Sequence, residues 1–200
     1  MDAPPSSSLH AREIGRERGG CAIIVGVASV GHLFVGLAIA RVHDRVAQSS
    51  SNPRAGERTA RTRIAGAAAF GVLALVPDVD VIGFRFGVEY GSEWGHRGAA
   101  HSIAVALVIA LVATPLLVRD LKAPVVASLA CAVVAVVSHG SLDALTNGGQ
   151  GVALLWPFST ERFFAPWHPI PVAPIGRDFL SAHNFVVVST QLVLFAPFPL

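Results

Sequence analysis

Apolar and polar residues alternate along this chain in long blocks. Residues 19–40 carry no charged side chain and one histidine, His32. A membrane-spanning helix needs about 20 apolar residues, so this run is long enough to cross. A second run, 64–76, closes on Pro77-Asp78-Val79-Asp80, where proline ends or kinks a helix. Residues 102–118 and 123–142 are two further runs, joined by the charged turn Arg119-Asp120-Leu121-Lys122, and 185–200 is a short final one. Sheet-like alternation is weak and no repeat of fixed period is present. Between the runs lie three polar connectors: 41–63 with six arginines, 84–98 rich in Gly and aromatic residues, and the Gly- and Pro-rich 147–181. The pattern predicts an all-α, polytopic membrane bundle of four to five transmembrane or re-entrant helices over residues 21–200. A polar, flexible tail over 1–20 precedes it.

Two competing readings fit parts of this pattern. Arg12, Arg16 and Arg18 ahead of an apolar run, with Ala38-Ile39-Ala40 near its end, imitate a cleavable signal peptide. Apolar runs of only 14 to 17 residues also suit buried helices of a soluble protein. Composition favours the membrane: 52% of residues are hydrophobic and 14% charged, against roughly 25% charged in soluble domains. Mean hydropathy is +0.58. The net charge of +2, carried almost wholly by arginine with Lys122 the single lysine, gives no basic stripe for nucleic acid. Cys21 and Cys131 both lie in apolar runs, which predicts free thiols rather than a disulfide.

The chemistry sits at the ends of the runs. Ionisable groups in or beside hydrocarbon persist mainly where they pair, line a wet cavity or bind an ion. His32, Asp78 and Asp80, His101, and His139 with Asp143 occupy the start, end, start and end of successive helices, provided that His32 opens its helix. In an up-down bundle that alternation brings all four groups to one side. His139, Asp143 and Thr146 follow i, i+4, i+7 spacing and share a helix face. Asp78, Asp80 and Asp143 stand at C-terminal helix ends, whose dipole disfavours an anion by roughly 0.3–1 kcal/mol each, so they call for a cation. His101 at a helix N-terminus is biased towards the neutral, ligating form.

A donor set of nitrogen and oxygen without thiolate favours Zn²⁺, with Mn²⁺ or Fe²⁺ as alternatives. Six candidate ligands, His32, Asp78, Asp80, His101, His139 and Asp143, exceed one tetrahedral site, so one or two ions are expected. His96 and Arg97 are the candidate catalytic pair. Arg97 would hold a substrate oxyanion, and His96 would ligate metal or donate a proton to a leaving group. His10, His43 and His183 read as surface or interface histidines, and His168 as a loop residue beside an aromatic membrane anchor.

These residues together resemble the YdjM-like family of inner-membrane, metal-dependent hydrolases. The likeness rests on Gly31-His32-Leu33 with Gly36, Leu75-Val76-Pro77-Asp78-Val79-Asp80, His96-Arg97-Gly98, His101-Ser102 and His139-Gly140-Ser141-Leu142-Asp143 with Thr146 and Gly149. Leu155-Trp156-Pro157-Phe158 followed by Phe163-Phe164 extends it, so that it runs from about residue 31 to 176. The resemblance implies metal-assisted hydrolysis, distant kinship with zinc-dependent phospholipase C, and a ligand set of His32, Asp78, His101, His139 and Asp143. The 30 residues ahead of His32 depart from the family pattern.

The expected function is therefore hydrolysis of a phosphoester or related ester, small or lipid-linked, by a multi-pass inner-membrane protein in contact with lipid. The alternatives are a non-enzymatic metal-binding or transport protein, which would favour ligands at the bilayer midplane, and a scaffold binding no metal. Arg41, Arg45, Arg54, Arg58, Arg61, Arg63, Arg119 and Lys122 lie away from the site, against Arg85, Arg97, Arg162 and Arg177 beside it. By the positive-inside rule the site then faces away from the cytoplasm. Arg12, Arg16 and Arg18 narrow that count to eight against seven if the tail shares the site's side.

Overall fold

The computed structural model describes residues 30–49, 59–172, 182–195 and 197. Five α-helices organise them: α1 (Val30–Ser49), α2 (Ala60–Leu75), α3 (Ile103–Leu121), α4 (Val125–Ala144) and α5 (Ala182–Phe195). A 3₁₀ segment, Val76–Phe86, continues α2, and a 3₁₀ turn, Ala99–His101, leads into α3. Among the described residues there is no strand, only isolated bridges joining Thr146 to Ile170 and Val152 to Phe163. The expected tail over 1–20, with His10, and Cys21 lie outside the described residues. Cys131 is a free, partly buried thiol.

Local chemistry sets the helix ends. The Thr59 side chain accepts the Thr62 N–H to cap α2, and Ser102 accepts the Val105 N–H to cap α3, each satisfying a donor that a helix start leaves orphaned. Lys122 ends α3 in the left-handed conformation at φ 49°. Pro124 precedes the first turn of α4, where a missing N–H is harmless.

The packing follows side-chain size in the way a bilayer demands. α3 turns Ala106, Ala110 and Thr114 inwards, and α4 turns Ser128, Ala132, Ala135 and Gly140 inwards. Leu107, Val108, Leu111, Val112 and Leu116 of α3 are exposed. Small residues inside and large apolar ones outside let helix backbones approach closely while the surface meets lipid. The crossing of α1 and α2 shows the same economy: a Cβ on Gly36 would stand 2.6 Å from the Phe70 carbonyl oxygen. Three stretches, Ala60–Phe86, Ile103–Leu121 and Val125–Ala144, are long and apolar enough to cross a membrane, and Phe185–Phe195 is a shorter apolar helix. The protein is a helical membrane bundle.

Several boundaries differ from the sequence expectation. α1 runs nine residues past Ala40, through the first part of the arginine-rich connector, because Ile39, Ala40, His43 and Ala47 continue its buried stripe. α2 begins at Ala60, inside that same connector. Pro77 does not halt the helix outright: the chain tightens to 3₁₀ and stays helical to Phe86, where Gly87 at φ 80° closes it. His43 is not a surface residue. It is 1% exposed, bonded to Ser128 Oγ at 3.1 Å, and α4 supplies the polar partner that makes its burial tolerable.

Candidate metal centre

The bundle's alternating directions carry His32 in the first described turn of α1, Asp78 and Asp80 just after α2, His101 just before α3, and His139 and Asp143 in the closing turns of α4. His96 and Arg97 join them from the connector. All eight predicted residues meet at one end of the bundle, and His32, His96, Arg97, His101, His139 and Asp143 are buried.

Asp78, His101, His139 and Asp143 each present a ligand atom, and these atoms lie within 4.8 Å of one another. His139 Nε2 is 3.2 Å from Asp78 Oδ1 and 3.8 Å from Asp143 Oδ2. His101 Nε2 is 3.6 Å from Asp78 Oδ1 and 3.4 Å from Asp143 Oδ2. His32 Nε2 is 3.4 Å from Asp143 Oδ1, and its ring stacks on His139 with centroids 3.9 Å apart. Gly140 permits this convergence, since a Cβ there would lie 2.5 Å from the His101 carbonyl oxygen.

The tautomers decide what this cluster can hold. His139 Nδ1 lies 2.7 Å from the Ala74 carbonyl oxygen, an atom that only accepts, so the proton sits on Nδ1. In the neutral ring Nε2 then aims a lone pair at the Asp78 and Asp143 carboxylates, which also carry lone pairs. That arrangement needs a cation between them. Both ring nitrogens of His101 are fully enclosed with no aligned hydrogen-bond partner, an expensive state for buried polar atoms. Two imidazole nitrogens and two carboxylates therefore fit a divalent ion of the zinc class. Without one, a proton must serve. Burial works against the His101 cation, yet the facing Asp143, Asp78 and Asp80 carboxylates outweigh burial and hold its pKa well above the ordinary imidazole value.

Asp80 sits differently. Its Oδ1 accepts from His96 Nδ1 at 2.7 Å and its Oδ2 accepts the Arg97 N–H at 3.3 Å. The same Oδ2 lies 3.0 Å from His101 Nδ1. Arg97, at φ 62°, folds its guanidinium inwards against α4 and the loop that follows it. Nη1 donates to Thr146 Oγ1 and to the Gly148 carbonyl, both at 2.9 Å. Nε and Nη2 face the two Asp143 oxygens at 3.2 and 3.3 Å. The donors expected to bind an oxyanion are engaged within the protein, because Asp143 and Thr146 share the helix face that Arg97 covers.

Two contributors escaped the sequence reading. Arg162 donates to the carbonyls of His96, Ser92 and Tyr90 at 3.0, 2.9 and 3.2 Å, tying the two long loops together. Its only signal is a lone arginine in an aromatic loop. The Ala74 carbonyl leaves no trace in sequence at all. His168 lies in its loop edge-on to Phe164, with centroids 5.4 Å apart, beside Trp167, which is 72% exposed.

The family model described as "YdjM inner membrane protein" matches residues 27–198. The chain belongs to the YdjM inner membrane protein family. The Inner membrane protein YbcI of Escherichia coli (strain K12) is 47% identical over 123 residues, which are 61% of this chain and 71% of that relative. No solved structure matches the chain. Membership in the YdjM family agrees with the motif resemblance, and the protein is an inner-membrane protein whose cluster of His and Asp residues can hold a metal ion.

Proposed function

We propose that this protein is a membrane-bound, metal-dependent hydrolase acting on a phosphoester or related ester, with a lipid-linked substrate the best match to its location. The observation that carries the reading is the convergence of His101 Nε2 and His139 Nε2 on the carboxylates of Asp78 and Asp143, their ligand atoms all within 4.8 Å of one another. Asp78, His101, His139 and Asp143 are the proposed ligands, with His32 beside Asp143 as a further donor. When bound, a divalent ion such as Zn²⁺ polarises an ester or phosphoryl oxygen and acidifies water.

The chain's own residues supply the rest. Asp80 accepts the His96 Nδ1 proton, which leaves the His96 Nε2 lone pair free to take a proton from water and return it to a leaving group. Arg97 anchors Asp143 and acts as a positioning residue. Exposed aromatic side chains on the site-end loops, Phe86, Trp94, Phe158 and Trp167, suit the headgroup level of a bilayer, where an amphiphilic ester would present its polar part. We place the site on the non-cytoplasmic face from the excess of basic residues towards the other end.

The depth of burial of the ligands favours one competing reading, a non-enzymatic metal-binding or transport protein. Elemental analysis of detergent-purified protein and of His139→Ala, followed by a panel of phosphomonoesters, phosphodiesters and carboxylic esters with and without chelator, separates the two. Stoichiometric metal, lost in His139→Ala, with chelator-sensitive turnover supports the hydrolase. Stoichiometric metal without turnover, combined with metal flux in proteoliposomes, supports transport. No metal in the wild-type protein removes both.

A further inference from the structure

Resting on that metal reading, we infer that the centre is mononuclear and that Asp80 serves it as a positioning residue, a proton-accepting brace behind His101 and His96, rather than as a ligand of a second ion. The residues on this side tempt the opposite conclusion, because Asp80, His96 and His101 also present potential ligand atoms within 4.8 Å of one another.

Three features argue against a second ion there. His101 belongs to both groups, with Nε2 towards Asp78 and Asp143 and Nδ1 towards Asp80. A neutral imidazole has one lone pair, so an ion on Nε2 leaves the proton on Nδ1. That proton's nearest carboxylate is Asp80 Oδ2, 3.0 Å away but not aligned for a hydrogen bond in the metal-free arrangement. A small turn of the ring would complete the carboxylate–histidine–metal arrangement that orients a ligand and raises its basicity. Coordination through both nitrogens would require the imidazolate anion.

The Asp80 carboxylate is also already committed. The His96 N–H occupies Oδ1 at 2.7 Å and the Arg97 N–H reaches Oδ2 at 3.3 Å. An ion on Asp80 would compete with these donors for the carboxylate's lone pairs, and one shared with His96 through Nδ1 would have to expel the proton that Nδ1 gives to Oδ1. One 5%-exposed carboxylate lies against a proposed metal ligand on one side and holds the tautomer of the proton-transfer histidine on the other. The position of the ion and the orientation of His96 are thus mechanically coupled through Asp80.

The test uses full-length protein in detergent, loaded with Zn²⁺ alone. The expected result is one zinc per chain, with no metal–metal scattering at about 3.5–4 Å in the X-ray absorption spectrum. Asp80→Asn should keep one zinc with an unchanged number of ligands, and its zinc dissociation constant should rise about 10–100-fold. Asp143→Asn, which removes a proposed ligand, should lower the ligand number or lose the ion. Two zinc ions per wild-type chain, one of them lost in Asp80→Asn, would overturn the inference while leaving the metal reading intact. So would a reduced ligand number in Asp80→Asn. A wild-type chain that binds no zinc defeats the underlying reading and this inference together. If Asp80→Asn does not fold, the wild-type stoichiometry and scattering still decide.

Discussion

Arg97 and Asp143 form a buried two-point pair: Nε faces Oδ2 at 3.2 Å and Nη2 faces Oδ1 at 3.3 Å. The pair clamps the connector against the last turn of α4, and Thr146 and Gly148 take up Nη1. Removing one partner of such a pair strands the other charge, which costs about 3–5 kcal/mol. Arg97→Ala should therefore lower the melting temperature clearly and weaken metal retention together. Arg97→Lys should recover only part of both, because an ammonium cannot match two oxygens at once. Differential scanning calorimetry in detergent with parallel metal analysis checks this. An Arg97→Ala protein with wild-type stability would contradict the clamp.

The raised pKa of His101 gives metal uptake a pH signature. Burial opposes the imidazolium, but Asp143, Asp78 and Asp80 outweigh it, so the metal-free folded protein carries a proton on His101 above the ordinary value of about 6.5. A raised folded pKa means that this proton stabilises the metal-free fold fully below about pH 6.5. The contribution fades as pH rises through the raised value. Zinc needs the Nε2 lone pair, so binding expels that proton, and zinc affinity should increase with pH until the raised value is passed. Calorimetric titration in two buffers of different ionisation enthalpy reads the proton release. Zinc binding without proton release at neutral pH would show that His101 is neutral beforehand.

Gly140 is expected to be intolerant. A Cβ at this position would lie 2.5 Å from the His101 carbonyl oxygen, so α4 and the turn before α3 would have to separate. Gly140→Ala should destabilise the protein by roughly 1–3 kcal/mol and should loosen zinc binding, since the shift moves His101 away from His139. Thermal unfolding and zinc competition with a chromogenic chelator are the measurements. Unchanged zinc affinity in a folded Gly140→Ala protein would show that the approach of the two backbones does not set the site.

Membrane orientation is open to a direct test. Arg41, Arg45, Arg61, Arg63, Arg119 and Lys122 lie along or beyond the helices leading away from the site. At the site end the described residues include the basic side chains Arg85, Arg97 and Arg162. By the positive-inside rule the proposed metal site is expected to face away from the cytoplasm. Gln48→Cys and Glu161→Cys, each in a background without Cys21 and Cys131, place one label at each end. Labelling of Glu161→Cys only from the cytoplasmic side would reverse the assignment.

The sequence alone determined the helical membrane architecture and which end of the bundle gathers its His and Asp residues. Both depend on local features: runs of apolar residues, the proline after Val76, and the alternation that puts Asp78, His101 and Asp143 at helix ends of matching sense, with His32 on their side. What each polar group touches was decided by tertiary structure. Arg97 reads as a free anion binder until α4 and the following loop supply Asp143, Thr146 and Gly148, about 50 positions away in sequence. Asp80 looks equivalent to Asp78 in Pro77-Asp78-Val79-Asp80, yet the 3₁₀ winding of that segment carries Asp78 to His139 and Asp80 to His96. His43 looks like a surface residue until Ser128 of α4 meets it. Hydrophobic periodicity reports where a helix can lie, but the partner of a side chain is a contact between remote segments, and only their packing selects it.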